Sequence, residues 1–250
     1  MPSFFCWHEL KAPDRKAARA FYGGLFGWKF QDHDMGPAGV YTGIMIGDRG
    51  IGGICDVQKG APPHWISYVT TDNVDDAAVR ATRAGGKVLM PAMDIPETGR
   101  FTVVQDPQGA LICPWKGLQP SRPDGPFAPG AFCWNELVSP DIGKAKQFYG
   151  ELFGWTHKDV PMPMSGNYTL LQSEGTDVGG MFPKPPGAPG PAAWIGYVHV
   201  TDVDASSTQV KKLGGKLWSE PMDIPNVGRF SVCADSAGAT FALYKAKGPG

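Results

Sequence analysis

The sequence predicts an α+β protein built as two tandem domains, each holding the order strand–helix–strand–strand–strand twice. Three observations carry that expectation. The segment Phe4-Phe5-Cys6-Trp7-His8-Glu9-Leu10 returns as Ala131-Phe132-Cys133-Trp134-Asn135-Glu136-Leu137. The helical segment behind it, Phe21-Tyr22-Gly23-Gly24-Leu25-Phe26-Gly27-Trp28, returns as Phe148-Tyr149-Gly150-Glu151-Leu152-Phe153-Gly154-Trp155. Both repeats share one offset, 127 (134 − 7 for the first tryptophan, 155 − 28 for the last). That is the length of a domain and too long for a solenoid unit.

Taken in order, residues 4–12 read as a strand, with Phe5, Trp7 and Glu9 on one face and Cys6, His8 and Leu10 on the other. Pro13 ends it. Asp14 stands where a helix N-cap belongs, since its carboxylate can accept backbone N–H groups. Ala17, Ala18, Phe21, Tyr22 and Leu25 follow at helical spacing, and Gly27 can supply the left-handed C-terminal cap. Short strands are expected near 28–34, 40–46 and 51–57. The pattern then restarts: a strand from Trp65 to Thr70, a helix from Asp75 to Ala84 stopped by Gly85-Gly86, and strands near 87–90, 101–105 and 110–116. Asp106-Pro107-Gln108-Gly109 reads as a turn, with Pro presetting φ and Gly last. Gly52-Gly53 is read as a turn as well.

Residues 117–130 are rich in Pro and Gly and read as a semi-rigid linker between a first domain, 1–116, and a second, 131–247. Gly248-Pro249-Gly250 reads as a frayed end. Further matches fill the second half: Trp194 with Trp65, Gly214-Gly215 with Gly85-Gly86, Met222-Asp223-Ile224-Pro225 with Met93-Asp94-Ile95-Pro96, and Gly228-Arg229-Phe230 with Gly99-Arg100-Phe101. Their offset is 129 (194 − 65). The two extra residues fall in the loop 183–191, where added length costs little.

The net charge of −1 and the lack of a basic run with interleaved aromatics argue against nucleic acid or an anionic membrane as partner. No apolar stretch approaches a membrane span, and the first residues lack signal-peptide character, so a cytoplasmic location is expected. Five cysteines, an odd number with no C-x-x-C pair, read as free thiols. The 34 Gly and 24 Pro suit many short strands joined by tight turns.

The motif E-L-x-x-P-D followed by F-Y-G-x-L-F-G-W, at Glu9–Trp28 and Glu136–Trp155, with D-P-Q-G-A at 106–110 and D-S-A-G-A at 235–239, resembles the vicinal oxygen chelate superfamily. That superfamily includes glyoxalase I, bleomycin-resistance proteins and extradiol dioxygenases. The narrower resemblance is to two-domain glyoxalase-like proteins of actinobacteria, often labelled hydroxylase or glyoxalase. It implies paired βαβββ units that curve a mixed sheet into a cup, with helices on the outer face. Metal-dependent members place His, Gln or Glu on strands facing the cup. Carried over, those positions are Trp7, Ile54 or Cys55, Trp65 and Cys113 in the first half. In the second they are Trp134, Met181 or Phe182, Trp194 and Ala242. None is His, Gln or Glu, so the expectation is a protein without the family's metal and with no other cofactor. A flavin or deazaflavin on the aromatic surface is a weaker option.

The internal repeat sorts the candidates. No histidine is shared between the halves: His8 faces Asn135 and His64 faces Ala193. His8 and His64 are either an acid/base or metal pair, joined by Cys113 or Cys55, or a histidine packed against the helix and another at a loop edge; we favour the second. Glu9 and Glu136 are shared and sit by alternation beside Trp7 and Trp134. They are the catalytic candidates, as general bases, or else ion-pair partners of Arg100 and Arg229. Arg100 and Arg229 can instead offer a guanidinium to an anionic ligand. Trp7, Trp65, Tyr68, Trp134, Trp194 and Tyr197 are the ligand-binding candidates, together with those two arginines. Aromatic faces of this kind suit a flat organic molecule.

The expected function is binding of a small aromatic or carbonyl-bearing molecule in an aromatic-lined cup without metal. Lyase, isomerase or hydroxylase chemistry and non-catalytic sequestration both stay open. The expected assembly is a monomer with pseudo-twofold domains or a homodimer.

Overall fold

The computed structural model describes residues 2–36, 39–121, 123, 128–162, 166–188 and 190–247. The expected frayed end at 248–250 and linker positions 122 and 124–127 lie outside the described residues.

The first half runs β1 (Phe5–Ala12), α1 (Arg15–Phe26), β2 (Lys29–Asp34), β3 (Val40–Ile46), β4 (Arg49–Asp56), β5 (His64–Thr70), α2 (Val74–Arg83), β6 (Lys87–Ile95), β7 (Gly99–Gln105) and β8 (Leu111–Gly117). The second half runs β9 (Phe132–Ser139), α3 (Ile142–Phe153), β10 (Thr156–Met162), β11 (Gly166–Ser173), β12 (Thr176–Pro183), β13 (Ala193–His199), α4 (Val203–Lys212), β14 (Lys216–Leu217), β15 (Met222–Ile224), β16 (Gly228–Ala234) and β17 (Thr240–Ala246). Among the described residues these strands form two mixed sheets. Their orders are β2-β3-β4-β1-β5-β8-β7-β6 and β10-β11-β12-β9-β13-β17-β16-β14, with β15 on β16. The α+β class and the doubled strand–helix–strand–strand–strand order are those the sequence predicts.

Local chemistry sets the boundaries. Asp14 accepts from the backbone N–H of Lys16 and Ala17, and Asp141 accepts from Lys144 N–H, each capping a helix start. Gly27 and Gly154 end the same helices at φ +70° and +71°, a region open to glycine. The halves differ at one place. β6 is continuous, whereas its counterpart breaks into β14 and β15. At the break Trp218 N–H and Ser219 N–H both reach the Val232 carbonyl.

Each strand order stays within one half of the sequence, but the two compact units do not. One unit consists of Met1–Cys6, Ile66–Pro123 and Asn135–Ile195; the other of Trp7–Trp65, Asp124–Trp134 and Gly196–Gly250. Each unit therefore takes one βαβββ module from each half. The chain changes unit between Cys6 and Trp7. This accounts for one misplaced residue. Alternation puts Phe5 on the face of Trp7 and Glu9, whereas it lies in the core of the first unit, 5.0 Å from Trp194 and 5.5 Å from Trp155.

The two cores are built alike. In one, the ring of Tyr22 on α1 meets Phe241 on β17, Trp28 and Trp65. The Trp65 indole N–H donates to Tyr22 Oη at 2.9 Å, and Tyr22 O–H donates to Asp235 at 3.0 Å. In the other, Trp194 donates to Tyr149 Oη at 2.8 Å, and Tyr149 donates to Asp106 at 3.1 Å. Asp106 and Asp235 also tie their own turns by accepting backbone N–H groups of Gln108 and Ala110, and of Ala237, Gly238 and Ala239. The tyrosine of each F-Y-G motif is thus bonded to the turn aspartate of the other half. Burial, with the neighbouring carboxylate, holds both tyrosines well above the ordinary phenol value.

Replacing Tyr149 by Phe deletes a donor and an acceptor while leaving Asp106 and Trp194 buried. The expected loss is about 1–3 kcal/mol of unfolding free energy, read as a lower urea midpoint at unchanged slope. An unaltered midpoint would show that the network carries no net stability.

Candidate functional site

From Trp7 onward β1 alternates cleanly: His8, Leu10 and Ala12 are buried, with Leu10 and Ala12 in the core, while Trp7, Glu9 and Lys11 share the other face. Parallel pairing sets Glu9 beside Gly53 and Lys11 beside Cys55 on β4. Antiparallel pairing sets Gly43 of β3 beside Gly53. Gly52-Gly53 is therefore mid-strand and not the expected turn. The reason lies in Tyr41: a Cβ at Gly53 would sit 2.0 Å from the Tyr41 hydroxyl, so the absent side chain is what lets this ring lie across β4 toward β1.

The result is a compact polar cluster on an aromatic face. Trp7 Nε1–H donates to Tyr41 Oη at 2.9 Å. The Tyr41 hydroxyl and the Cys55 thiol both hydrogen-bond to the Glu9 carboxylate. The Lys11 ammonium is ion-paired with the same carboxylate. Burial first, then the charge of Glu9, holds the Tyr41 phenol well above its ordinary value and pushes the Cys55 thiol up to about 12. Both stay protonated at neutral pH, so both act as donors. The face offers an indole, a phenol and a partly exposed ammonium around a carboxylate that already accepts from three groups.

The second half repeats the device in the other unit. Glu136 on β9 pairs with Gly180 on β12, and a Cβ at Gly180 would lie 2.1 Å from the Tyr168 hydroxyl. Tyr41 and Tyr168 are the site residues that sequence reasoning missed. Their signal was present: Tyr41-Thr42 and Tyr168-Thr169 repeat at the common offset of 127 (168 − 41), as do Gly52-Gly53 and Gly179-Gly180.

Residues 8–113 and 133–243 match the model of the Glyoxalase/Bleomycin resistance protein/Dioxygenase superfamily. The chain belongs to that superfamily. It is 35% identical over 245 residues to the Mycobacterium tuberculosis protein named "Putative glyoxylase CFP32", covering 96% of this chain and 93% of the relative. It is 29% identical over 266 residues to the Streptomyces peucetius "Anthracycline biosynthesis protein DnrV", covering 98% and 94%. Among solved structures it is similar to 2,2',3-trihydroxybiphenyl 1,2-dioxygenase of Sphingomonas wittichii, with TM-score 0.66 and 14% identity over 100% of this chain and 93% of that one. It is also similar to the Mn(II)-bound glyoxalase of Novosphingobium aromaticivorans, with TM-score 0.63 and 15% identity over 97% and 81%. These structural likenesses establish the superfamily fold.

The other candidates fall into place around that fold. Trp65 and Trp194, expected on the ligand face, are core residues whose indole N–H groups serve Tyr22 and Tyr149. Tyr68 lies 5.9 Å from Phe101 and 6.1 Å from Trp115, and Tyr197 lies 6.3 Å from Phe230 and 6.5 Å from Tyr244. These are small aromatic groups, one in each unit. Trp134 is half-buried on β9. His8 stacks on Phe132 at 3.7 Å, and His64 Nδ1 is 2.9 Å from the Pro62 carbonyl, so neither histidine joins the Glu9 cluster.

The expected pairing of Glu9 with Arg100 is not formed. Arg100 holds Asp75 in the first turn of α2 through two bonds of 2.9 and 2.8 Å, and Asp94 through one of 3.0 Å. Arg229 repeats this with Asp204 and Asp223. An open cleft of about 700 Å3 between the start of α1 and β3 is lined by charges that pair with one another, Arg15 with Asp56 and Arg19 with Asp32. It offers no aromatic wall.

The metal of the superfamily's metal-dependent members finds a poor donor set. Among the described residues no group of three or more His, Cys, Asp or Glu side chains could hold a metal ion. At the carried-over positions the indole N–H of Trp7 is a donor only and Trp65 is in the core. The residues present do not fit the metal. Among the described residues no helix is long and apolar enough to cross a membrane.

The hydrogen bonds from Arg100 hold the Asp75 carboxyl below its ordinary value. A depressed carboxylate contributes stability that is present above its unfolded value, about 3.9, and lost as pH falls through the folded value. The difference in denaturation midpoint between wild type and R100Q is expected to hold steady above about pH 4 and to close below it. A gap that widens on acidification would contradict the assignment.

Proposed function

We propose that the chain binds a small, flat aromatic or carbonyl-bearing molecule on the face formed by Trp7, Tyr41 and Glu9, in direct contact with protein and without the superfamily's divalent metal. The observation that carries this reading is the Trp7–Tyr41–Glu9 constellation. It places an indole, a phenol that stays protonated, and a carboxylate engaged by three donors at a strand position where metal-dependent members hold a ligand to the ion. Indole and phenol rings supply stacking area, and the fixed hydroxyl supplies orientation. The anthracycline biosynthesis in one relative's name agrees with flat, carbonyl-bearing chemistry.

The catalytic version of this reading is a lyase, isomerase or hydroxylase with Glu9 or Glu136 as base. It asks Glu9 to reach a substrate while Tyr41, Cys55 and Lys11 already occupy its carboxylate. That arrangement favours Glu9 as an anchor for Tyr41, and binding or sequestration as the activity.

The test is titration with 1,4-dihydroxyanthraquinone in the presence of EDTA, read by tryptophan fluorescence. Saturable quenching is expected, weakened about tenfold in Trp7→Ala, the size of a lost aromatic contact. Quenching that needs added Mn(II), Fe(II) or Zn(II), or none at all, would defeat the reading.

A further inference from the structure

The two halves place different chemistry at one register position. On β1 and β4 the paired residues are Lys11 and Cys55; on β9 and β12 the equivalent pair is Val138 and Phe182. The offsets agree, 127 in both cases (138 − 11 and 182 − 55). Beside this position Glu9, Tyr41 and Gly53 match Glu136, Tyr168 and Gly180. The duplication has kept the carboxylate, phenol and glycine, while this pair changes from an ammonium and a thiol to an isopropyl and a phenyl group and Gly43 beside Gly53 gives way to Leu170 beside Gly180.

We infer that Lys11 makes the first-half site selective for an aromatic ligand carrying an anionic oxygen, such as a carboxylate, a sulfonate or an ionised phenol. This rests on the binding role proposed for the Trp7 face. Of the ion pair, Glu9 is covered, with its side chain 8% exposed, and Lys11 is the member that reaches solvent, at 29%. An ammonium has three hydrogens in a tetrahedral array and can serve Glu9 and a further acceptor at the same time. The carboxylate behind it does not draw on the ammonium alone, because Tyr41 and Cys55 also donate to it. An anion arriving on the Trp7 face thus meets a positive group whose counter-charge is partly satisfied elsewhere, in surroundings less screened than bulk water. At the second-half position Val138 and Phe182 give an anion nothing and an apolar ring more contact area.

Two near-isosteric probes read the difference: 1-anilinonaphthalene-8-sulfonate, an anion, and N-phenyl-1-naphthylamine, its neutral counterpart. Both are titrated into the full chain, wild type, K11V and K11R, with Trp7→Ala as the control for binding at this face. The quantity measured is the ratio of the two affinities. K11V is expected to lower the anion's advantage at least about fivefold, the loss of one partly exposed charge contact, and K11R to restore most of it. Because K11V leaves Glu9 without its ammonium, K11V/E9Q repeats the measurement with both charges removed and is expected to match K11V. An unchanged ratio in K11V and in K11V/E9Q, while Trp7→Ala still weakens binding of both probes, overturns the role of Lys11 alone. Failure of either probe to bind wild type at Trp7 overturns the binding role of the face as well.

Discussion

The structure depends on one buried contact made twice. A tyrosine from the helix of one half gives its proton to the turn aspartate of the other half and accepts the indole N–H of a core tryptophan. Tyr22 does this with Asp235 and Trp65, and Tyr149 with Asp106 and Trp194. A buried aspartate is costly unless it is hydrogen-bonded. Each of these is satisfied by its own turn and by a tyrosine of the other half, 213 residues away for Asp235 and 43 for Asp106, so the full set of bonds forms only when the module from the other half is in place. Each compact unit therefore needs both halves, although each sheet is drawn from one.

That arrangement frees the opposite strand face. With Leu10, Ile54 and Ala12 committed to a core, the alternate residues Trp7, Glu9 and Lys11 are available for another purpose. Gly53 then decides what covers them. Its missing side chain admits the Tyr41 ring, and the Tyr41 hydroxyl joins Trp7 to Glu9. The phenol, thiol and ammonium are all tied to that one carboxylate. Repetition of the same glycine and tyrosine at Gly180 and Tyr168 marks the device as part of the duplicated module, and the change from Lys11 to Val138 marks where the copies part.

The parts of the fold legible in the sequence were those set by local chemistry. Asp14 and Asp141 as caps, Gly27 and Gly154 as helix ends, and the Asp106 turn needed only neighbours in the chain. The parts hidden were those set by distant partners. Trp65 and Trp194 read as ligand-face aromatics because period-two alternation cannot say which face of a strand a remote helix will cover. Phe5 departed from alternation because the chain changes unit one residue after it. Arg100 found Asp75 and Asp94, nearer carboxylates than Glu9. Gly52-Gly53 read as a turn because a paired glycine usually marks one; a mid-strand role shows only when the ring lying over it is placed. Tyr41 was therefore missed although its repeat at Tyr168 was in view.

The most direct test of this pairing of modules across the two halves is amide hydrogen exchange of wild type against Tyr22→Phe. Loss of the Tyr22–Asp235 contact is expected to speed exchange in α1 and in β16 and β17 together, while α2 and α3 keep their wild-type protection. Faster exchange spread through residues 5–117, α2 included, with β16 and β17 unaffected, would show that the cooperative unit is the sequence half and would contradict the account.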